Sequence, residues 1–324
     1  MAQTFLYSLV VAGVVEILLR WWHLSAPEVR LKFRLLILVL PGAYWAMYQL
    51  SHFLGAGESF RQRSALFELS RWLNLEISGD FLVGHLLLFL MGLTTSLFLF
   101  QEVLPPIRRR FLPREPLQQI KQGQLPKLDA VLTELARHVP HPLPPLFLTE
   151  RSEPVICIAG TFRPVLVLST SLIDKLDQEE LKGVLAHEIA HLRKGDNWKS
   201  WILLMLRTLM FYNPVALVVF RRLAQENEKI CDDLAVRATG EPLALASGVI
   251  KVFRGGEATS PLSSGLRGWL LSWGETLDHR TRSLAIEERV ARLLHPLARE
   301  ARGGAKIRLV LVAAALFVLL FFVV

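Results

Sequence analysis

The sequence predicts a mainly α-helical, polytopic membrane protein whose water-facing domain contains a small β-sheet. Three observations predict it. Apolar residues make up 52% of the 324 residues, with a mean hydropathy of +0.37, which is high for a soluble protein. The longest apolar runs are flanked by Arg, Lys and Trp, as membrane-crossing helices are. Between the third run and the last lies a stretch of mixed composition, residues 105–305, long enough for a folded domain.

The first run, Thr4 to Leu19, ends on Arg20, Trp21 and Trp22, which suit a membrane interface. No small-residue cleavage site follows it, so it is expected to be retained. Glu16 lies near its end and is expected to snorkel to the headgroups. The second run, Leu35 to Leu54, is broken by Pro41-Gly42. The loop 51–80 follows, with an amphipathic helix expected over 64–75. The third run is Phe81 to Phe100, and the last is Leu309 to Val324. Basic residues at Arg20–Arg34, Arg108–Arg110, Arg114 and Arg302–Arg308 set the topology by the positive-inside rule. The loop 51–80 then faces outward. Residues 1–104 hold three spans, 105–305 a cytoplasmic domain and 306–324 a fourth span. The net charge of +8 is spent largely at span ends, which argues against direct nucleic-acid binding. Only Cys157 and Cys231 occur and neither sits in C-x-x-C, so no disulfide framework is expected.

Within the domain, Leu125 to His138 reads as a helix, and the His-Pro cluster after it as turns. Val155–Ala159 and Val165–Leu168 read as strands around Gly160-Thr161. Residues 240–273 are rich in Gly, Ser and Pro and read as a flexible loop, a candidate lid or cleavable segment. Residues 284–294 read as a helix.

The chemistry lies in His187-Glu188-Ile189-Ala190-His191. Positions i and i+4 share one helix face, so both imidazoles reach one metal ion. Glu188 lies beside them as a candidate general base. Asp177 with Glu180 forms a D-x-x-E helix start, and Leu181, Val184, Leu185 and Leu192 recur at helical spacing. A chance match on an ordinary helix is the alternative. A catalytic zinc takes three protein ligands and keeps one position open. Glu228, within E-x-x-C-D and 37 residues after His191, is the candidate third ligand. Asp232, one turn on, is placed to bond the outer nitrogen of a liganding His. Glu226 and Asp233 read as a solvated acidic face. The apolar stretch 198–220 separates the ligands. One crossing would put His191 and Glu228 on opposite sides of the bilayer. Two crossings need roughly 40 residues, and only 36 lie between them. A membrane-associated helical hairpin turning at Asn213-Pro214 is therefore expected.

H-E-x-x-H followed by four residues and Asp196, then Asn213-Pro214, then E-x-x-C-D, resembles the BlaR/MecR family of membrane-embedded zinc peptidases. The resemblance covers Pro154 to Asp233. The HtpX/Ste24 family is similar, but has Ala where this chain has Cys231. The resemblance implies a gluzincin-like zinc-peptidase domain with one Zn2+ held by His187, His191 and Glu228. It implies Glu188 as base and Asp196 and Asp232 as supporting residues. It implies peptide hydrolysis at the cytoplasmic face of a bacterial-type inner membrane. The implied substrate is a cytosolic protein such as a transcriptional repressor, or the chain itself. HtpX-type quality control of membrane proteins is a second reading, and a non-catalytic receptor or scaffold with a structural metal is a third. A homodimer stays open. In such zinc peptidases an edge strand beside the metal pairs with extended substrate, which points to one of the two strands; an internal hairpin without substrate contact is the alternative. Glu287-Glu288-Arg289 resembles the tail element of the HtpX/Ste24 relatives, but Ser283-Leu284 replaces their His-Pro. The transition-state stabiliser is thereby left among His279, Tyr212 and Arg289.

Overall fold

The computed structural model describes residues 2–53, 73–78, 81–99, 118–120, 123–138, 143–159, 164–193, 196–257, 284–294 and 305–323. The expected helix at 64–75, the arginines 108–114 and the segment 258–283 lie largely or wholly outside them. The chain is mainly helical with a small mixed sheet. It divides into two compact units, Met1–Leu112 with Ile202–Asn227 and Arg299–Val324, and Pro113–Trp201 with Glu228–Ala298.

The first unit is built on α1 (Ala2–Trp21), α2 (Pro27–Phe53), α3 (Val83–Phe98) and the last helix, α11 (Ala305–Val323). Tyr7, Val11, Val15 and Leu19 recur every four residues on α1, and Val312, Leu316 and Leu320 do so on α11. With Phe33, Ile37 and Tyr44 of α2 they form its core, as one apolar stripe per helix must. Among the described residues only Gln3–Trp21 is long and apolar enough to cross a membrane. Two expected boundaries change. α2 starts at Pro27 and runs unbroken through Pro41. Phe81 and Leu82 form a short strand, β2, paired with β1 (Glu76–Ser78), so α3 has only 16 residues.

The stretch 198–220 is a helix, turn and helix: α7 (Asp196–Leu209), then α8 (Pro214–Thr239). Asn213 is why the turn lies there. Its Oδ1 accepts from the N–H groups of Val215 and Ala216, its Nδ2 donates to Ser8 at 3.0 Å, and it is fully buried. Pro214 takes the first helical position, where no N–H is needed.

Glu16 is ion-paired within the unit, to Arg34 at 2.9 Å and to Arg222 at 2.7 Å. Glu226, read as solvated, is instead 2% exposed and bound by Arg34 at 2.7 Å. A buried carboxylate needs such a fixed partner in place of the water it loses.

The second unit packs helices on a four-stranded sheet of order β3 (Gln118–Gln119), β4 (Leu146–Thr149), β6 (Val165–Ser169), β5 (Ile156–Ala159). β4 and β6 are parallel and the other pairs antiparallel. The two expected strands are β5 and β6, and among the described strands β5 is an edge. α4 (Pro126–His138), α5 (Thr170–Lys175) and α6 (Gln178–Arg193) supply much of the core with Leu128, Val131, Leu172, Leu181 and Leu185. The supposed loop at 240 is instead a helix, α9 (Pro242–Glu257), laid against α6. Its glycines are there for close approach. A Cβ on Gly248 would meet Val184 Cγ2 at 2.7 Å, and one on Gly183 of α6 would meet the Leu245 backbone at 3.1 Å.

Candidate metal centre

α6 presents the two imidazoles, and its start is fixed by its own sequence. Asp177 Oδ1 accepts from Glu180 N–H at 2.8 Å, and Glu180 Oε2 accepts from Asp177 N–H at 2.9 Å. This reciprocal box satisfies two free donors of the first turn. Glu180 also takes Ser247 Oγ and Lys251 Nζ of α9, so the same carboxylate ties the neighbouring helix to the start of α6.

About two turns after Glu180, His187 and His191 lie with ring centroids 5.0 Å apart. Glu228 of α8 faces both. Its Oε2 is 3.4 Å from His187 Nε2 and its Oε1 is 3.5 Å from His191 Nε2. One donor atom from each of the three residues lies within 4.8 Å of the others. Ligand atoms about 2.1 Å from a tetrahedral zinc lie roughly 3.4 Å apart, so the donor set fits such an ion. The outer nitrogens are held separately. His187 Nδ1 is 2.9 Å from Asp232 Oδ1, a contact by distance rather than by ideal hydrogen-bond direction. His191 Nδ1 lies 3.4 Å from Cys231 Sγ.

Helix α10, residues 284–294, closes this side. Arg289 donates two bonds to Asp232, at 2.8 and 2.7 Å, and its Nη1 lies 3.1 Å from Glu228 Oε2. Lys229 donates to Glu288 at 2.6 Å and Arg292 to Asp233 at 2.7 Å. Asp233, read as solvated, is therefore paired.

The electrostatics follow from these contacts. Burial alone would push His187 down, but Asp232 and Glu228 outweigh it and hold the imidazole up to about 9. The site's field thus favours a cation between these groups. Burial would raise Asp232, and the bonds from Arg289 and His187 bring it down to about 2. Glu228 is lowered for the same kind of reason, with His187 and Arg289 overcoming burial. Glu188 goes the other way. Burial raises it, and Glu228 adds to that, against the pull of His187, His191 and Arg289. Strand β5 lies near this carboxylate: Glu188 raises the Cys157 thiol, second to burial.

The structure thus brings together His187, His191, Glu228 and Asp232, with Glu188 next to His187 in the chain. The side chain of Asp196 is outside the described set. Of the three stabiliser candidates, Tyr212 bonds Thr4 in the first unit at 2.7 Å, and His279 is not described. Arg289 is engaged by Asp232 and Glu228. The alternation Glu288-Arg289-x-x-Arg292 is complementary to Glu228-Lys229-x-x-Asp232-Asp233.

Residues 149–242 match the family model described as BlaR1 peptidase M56. A protease HtpX homolog of Pseudarthrobacter chlorophenolicus is 25% identical over 167 residues, 42% of this chain and 58% of that protein. A protease HtpX homolog of Aquifex aeolicus is 35% identical over 81 residues, 24% of this chain and 27% of that one. The matched segments therefore span less than two thirds of either relative. The crystal structure of S. mikatae Ste24p is similar at a TM-score of 0.34 and 15% identity, covering 65% of this chain and 57% of that one.

Proposed function

We propose, from the M56/HtpX-type membrane metallopeptidase family that these matches support, that this chain is a membrane-bound, zinc-dependent metalloendopeptidase. The observation that carries the reading is the convergence of His187, His191 and Glu228 at separations of 3.4 and 3.5 Å. These three residues would hold the zinc, which when bound polarises the scissile carbonyl and activates water.

The remaining steps belong to the chain's own residues. Glu188, raised by burial, is a stronger proton acceptor than an exposed carboxylate. It takes the proton of the attacking water and delivers it to the leaving amine. Asp232 orients the His187 ring through Nδ1 and keeps Nε2 aimed at Glu228. Arg289 fixes Asp232 and Glu228 together. Among the described strands β5 is an edge near Glu188, and its outer backbone groups would pair with an extended substrate.

The proposed topology is multi-pass, in a bacterial-type inner membrane, with the catalytic unit on the cytoplasmic side. The basic residues at one end of α1, α2 and α11 support it. The proposed role is regulated proteolysis of a cytosolic protein such as a repressor, or self-cleavage; the family model over 149–242 favours it. The HtpX relatives favour a second reading, quality control of membrane proteins.

The test is Glu188→Gln. The variant is expected to bind zinc like the unmodified chain and to lose cleavage by about 100-fold or more. Comparing the proteomes of cells carrying either form identifies the substrate as a fragment that disappears. Normal cleavage by the variant overturns the assignment of the base.

A further inference from the structure

The fixed charges of α1, α2 and α11 are gathered at one end of each helix. α1 has no Asp, Glu, Lys or Arg before Glu16, α2 has none after Arg34, and α11 has none after Arg308. Across residues 16–34, 221–226 and 305–309, eight Lys and Arg stand against three Glu, a net charge of +5.

The charges form two tiers. The inner tier is consumed by the fold. Arg34, 4% exposed, bridges Glu16 and Glu226, Arg222 binds Glu16, and Arg30 lies 3.5 Å from Glu226. The two carboxylates of this tier are thereby shared among three guanidiniums. The outer tier includes Arg20, Lys32 and Arg308, all exposed and, among the described residues, without an ion-pair partner. Arg308 lies 5.3 Å over the Trp22 ring, and Trp21 is 74% exposed. Away from this end the bundle exposes Leu9, Val39 and Val318. Apolar flanks ending in one basic rim that bears tryptophans are what a helix bundle presents at a membrane–water boundary.

The geometry points to this rim as a binding site for anionic phospholipid, with Arg20, Lys32 and Arg308 on the headgroup phosphate and Trp21 at headgroup depth. The inference rests on the membrane reading above and goes beyond it, because it predicts a choice among lipids. A guanidinium presents a planar fork of donors to phosphate oxygens, and stacking Arg308 on Trp22 leaves the edges of that fork open. The apolar flank beside the rim selects a lipid over nucleic acid or an acidic protein, since neither would cover it. Each basic residue near an anionic surface contributes about fivefold in affinity at low salt, so three give on the order of 100-fold.

The test uses the full chain in neutral detergent, offered phosphatidylglycerol or phosphatidylcholine in mixed micelles, with retained lipid counted by native mass spectrometry. Phosphatidylglycerol is expected to be retained at least about tenfold over phosphatidylcholine, and the preference to shrink at high salt. The triple variant R20Q/K32Q/R308Q is expected to lose most of it while keeping the melting temperature measured without lipid. Equal retention of the two lipids by the unmodified chain overturns the inference, and that comparison needs no variant. So does full displacement of phosphatidylglycerol by an equal concentration of inorganic phosphate, which would mark a free-anion site. Recovery of the chain from the soluble fraction of cells overturns the membrane reading itself. A membrane-bound chain without lipid preference overturns only the present inference.

Discussion

Replacing Asp232 by Asn tests the supporting structure of the metal centre without changing its shape. Asp232 is 1% exposed, accepts two bonds from Arg289 at 2.8 and 2.7 Å and touches His187 Nδ1 at 2.9 Å. Charge-assisted bonds contribute about 1.5–3 kcal/mol each. Asn keeps one neutral acceptor and turns its amide toward a donor, so the loss is on the order of 2–4 kcal/mol. At about 2–4 °C per kcal/mol for a unit of this size, melting should fall by roughly 5–15 °C. Removing an outer partner of a liganding His lowers metal affinity about 10–100-fold. The assay is competition for zinc against a chromogenic chelator, with thermal melting in the same detergent. Adding Arg289→Met separates the two effects. With the stranded buried cation gone, stability should recover, while His187 still lacks its carboxylate and affinity stays low. An Asp232→Asn protein that melts like the unmodified chain and binds zinc within about twofold of it would refute the role given to Asp232.

Three further outcomes are expected. Gly183→Val should lower stability by about 1–3 kcal/mol, because its Cβ meets the Leu245 backbone at 3.1 Å and a whole helix must move; an unchanged melting temperature counts against the close α6–α9 contact. Asn213→Ala should cost about 1–2 kcal/mol through loss of the α8 cap and of the bond to Ser8, read by thermal melting. Glu180→Gln should melt lower at neutral pH and converge on the unmodified chain in acid. Glu180 lies below its ordinary value because Lys251, Ser247 and the Asp177 N–H outweigh burial. A carboxyl lowered by folding stabilises above its unfolded value, 4.5 for this group, and loses that contribution as pH falls through its folded one. A constant difference in melting between the two proteins from neutral pH to below about 4 would contradict it.

What was legible in the sequence was local or chemically demanded. The box at Asp177 and Glu180 and the i, i+4 imidazoles are contacts within one helix, so spacing alone fixes them. The approach of Glu228 to the two imidazoles was legible at 37 residues because a zinc site on two His would demand a third ligand of a particular kind. Contacts that no spacing rule covers were not legible. Glu226 looked solvated because its partner, Arg34, lies 192 residues away. Arg289 was a candidate for the site, but its two bonds to Asp232 join positions 57 residues apart. α9 was read as a loop for a different reason. Gly248 and Gly255 lower helix propensity, yet Gly248 is what lets α9 lie on α6, and a Cβ on Gly255 would collide with the Pro154 ring. Glycine composition reports a need for space as readily as a need for bending.

The two glutamates near the middle of α8 show what separates a carboxylate that holds a fold from one free to hold an ion. Glu226 and Glu228 are two residues apart, so they point to opposite sides of the helix. Glu226 is 2% exposed and bound by a permanently charged guanidinium at 2.7 Å. That partner offsets its charge and leaves it little to offer an ion. Glu228 has one guanidinium at 3.1 Å, and its other close partners are two imidazoles. Those imidazoles carry positive charge only when protonated, and His187 is drawn up to about 9 by this demand. A divalent ion held by these residues would meet the same demand in place of that proton. Glu226 is buried and Glu228 is partly exposed, and their partners differ in kind; it is the partner that marks Glu228 as the candidate ligand.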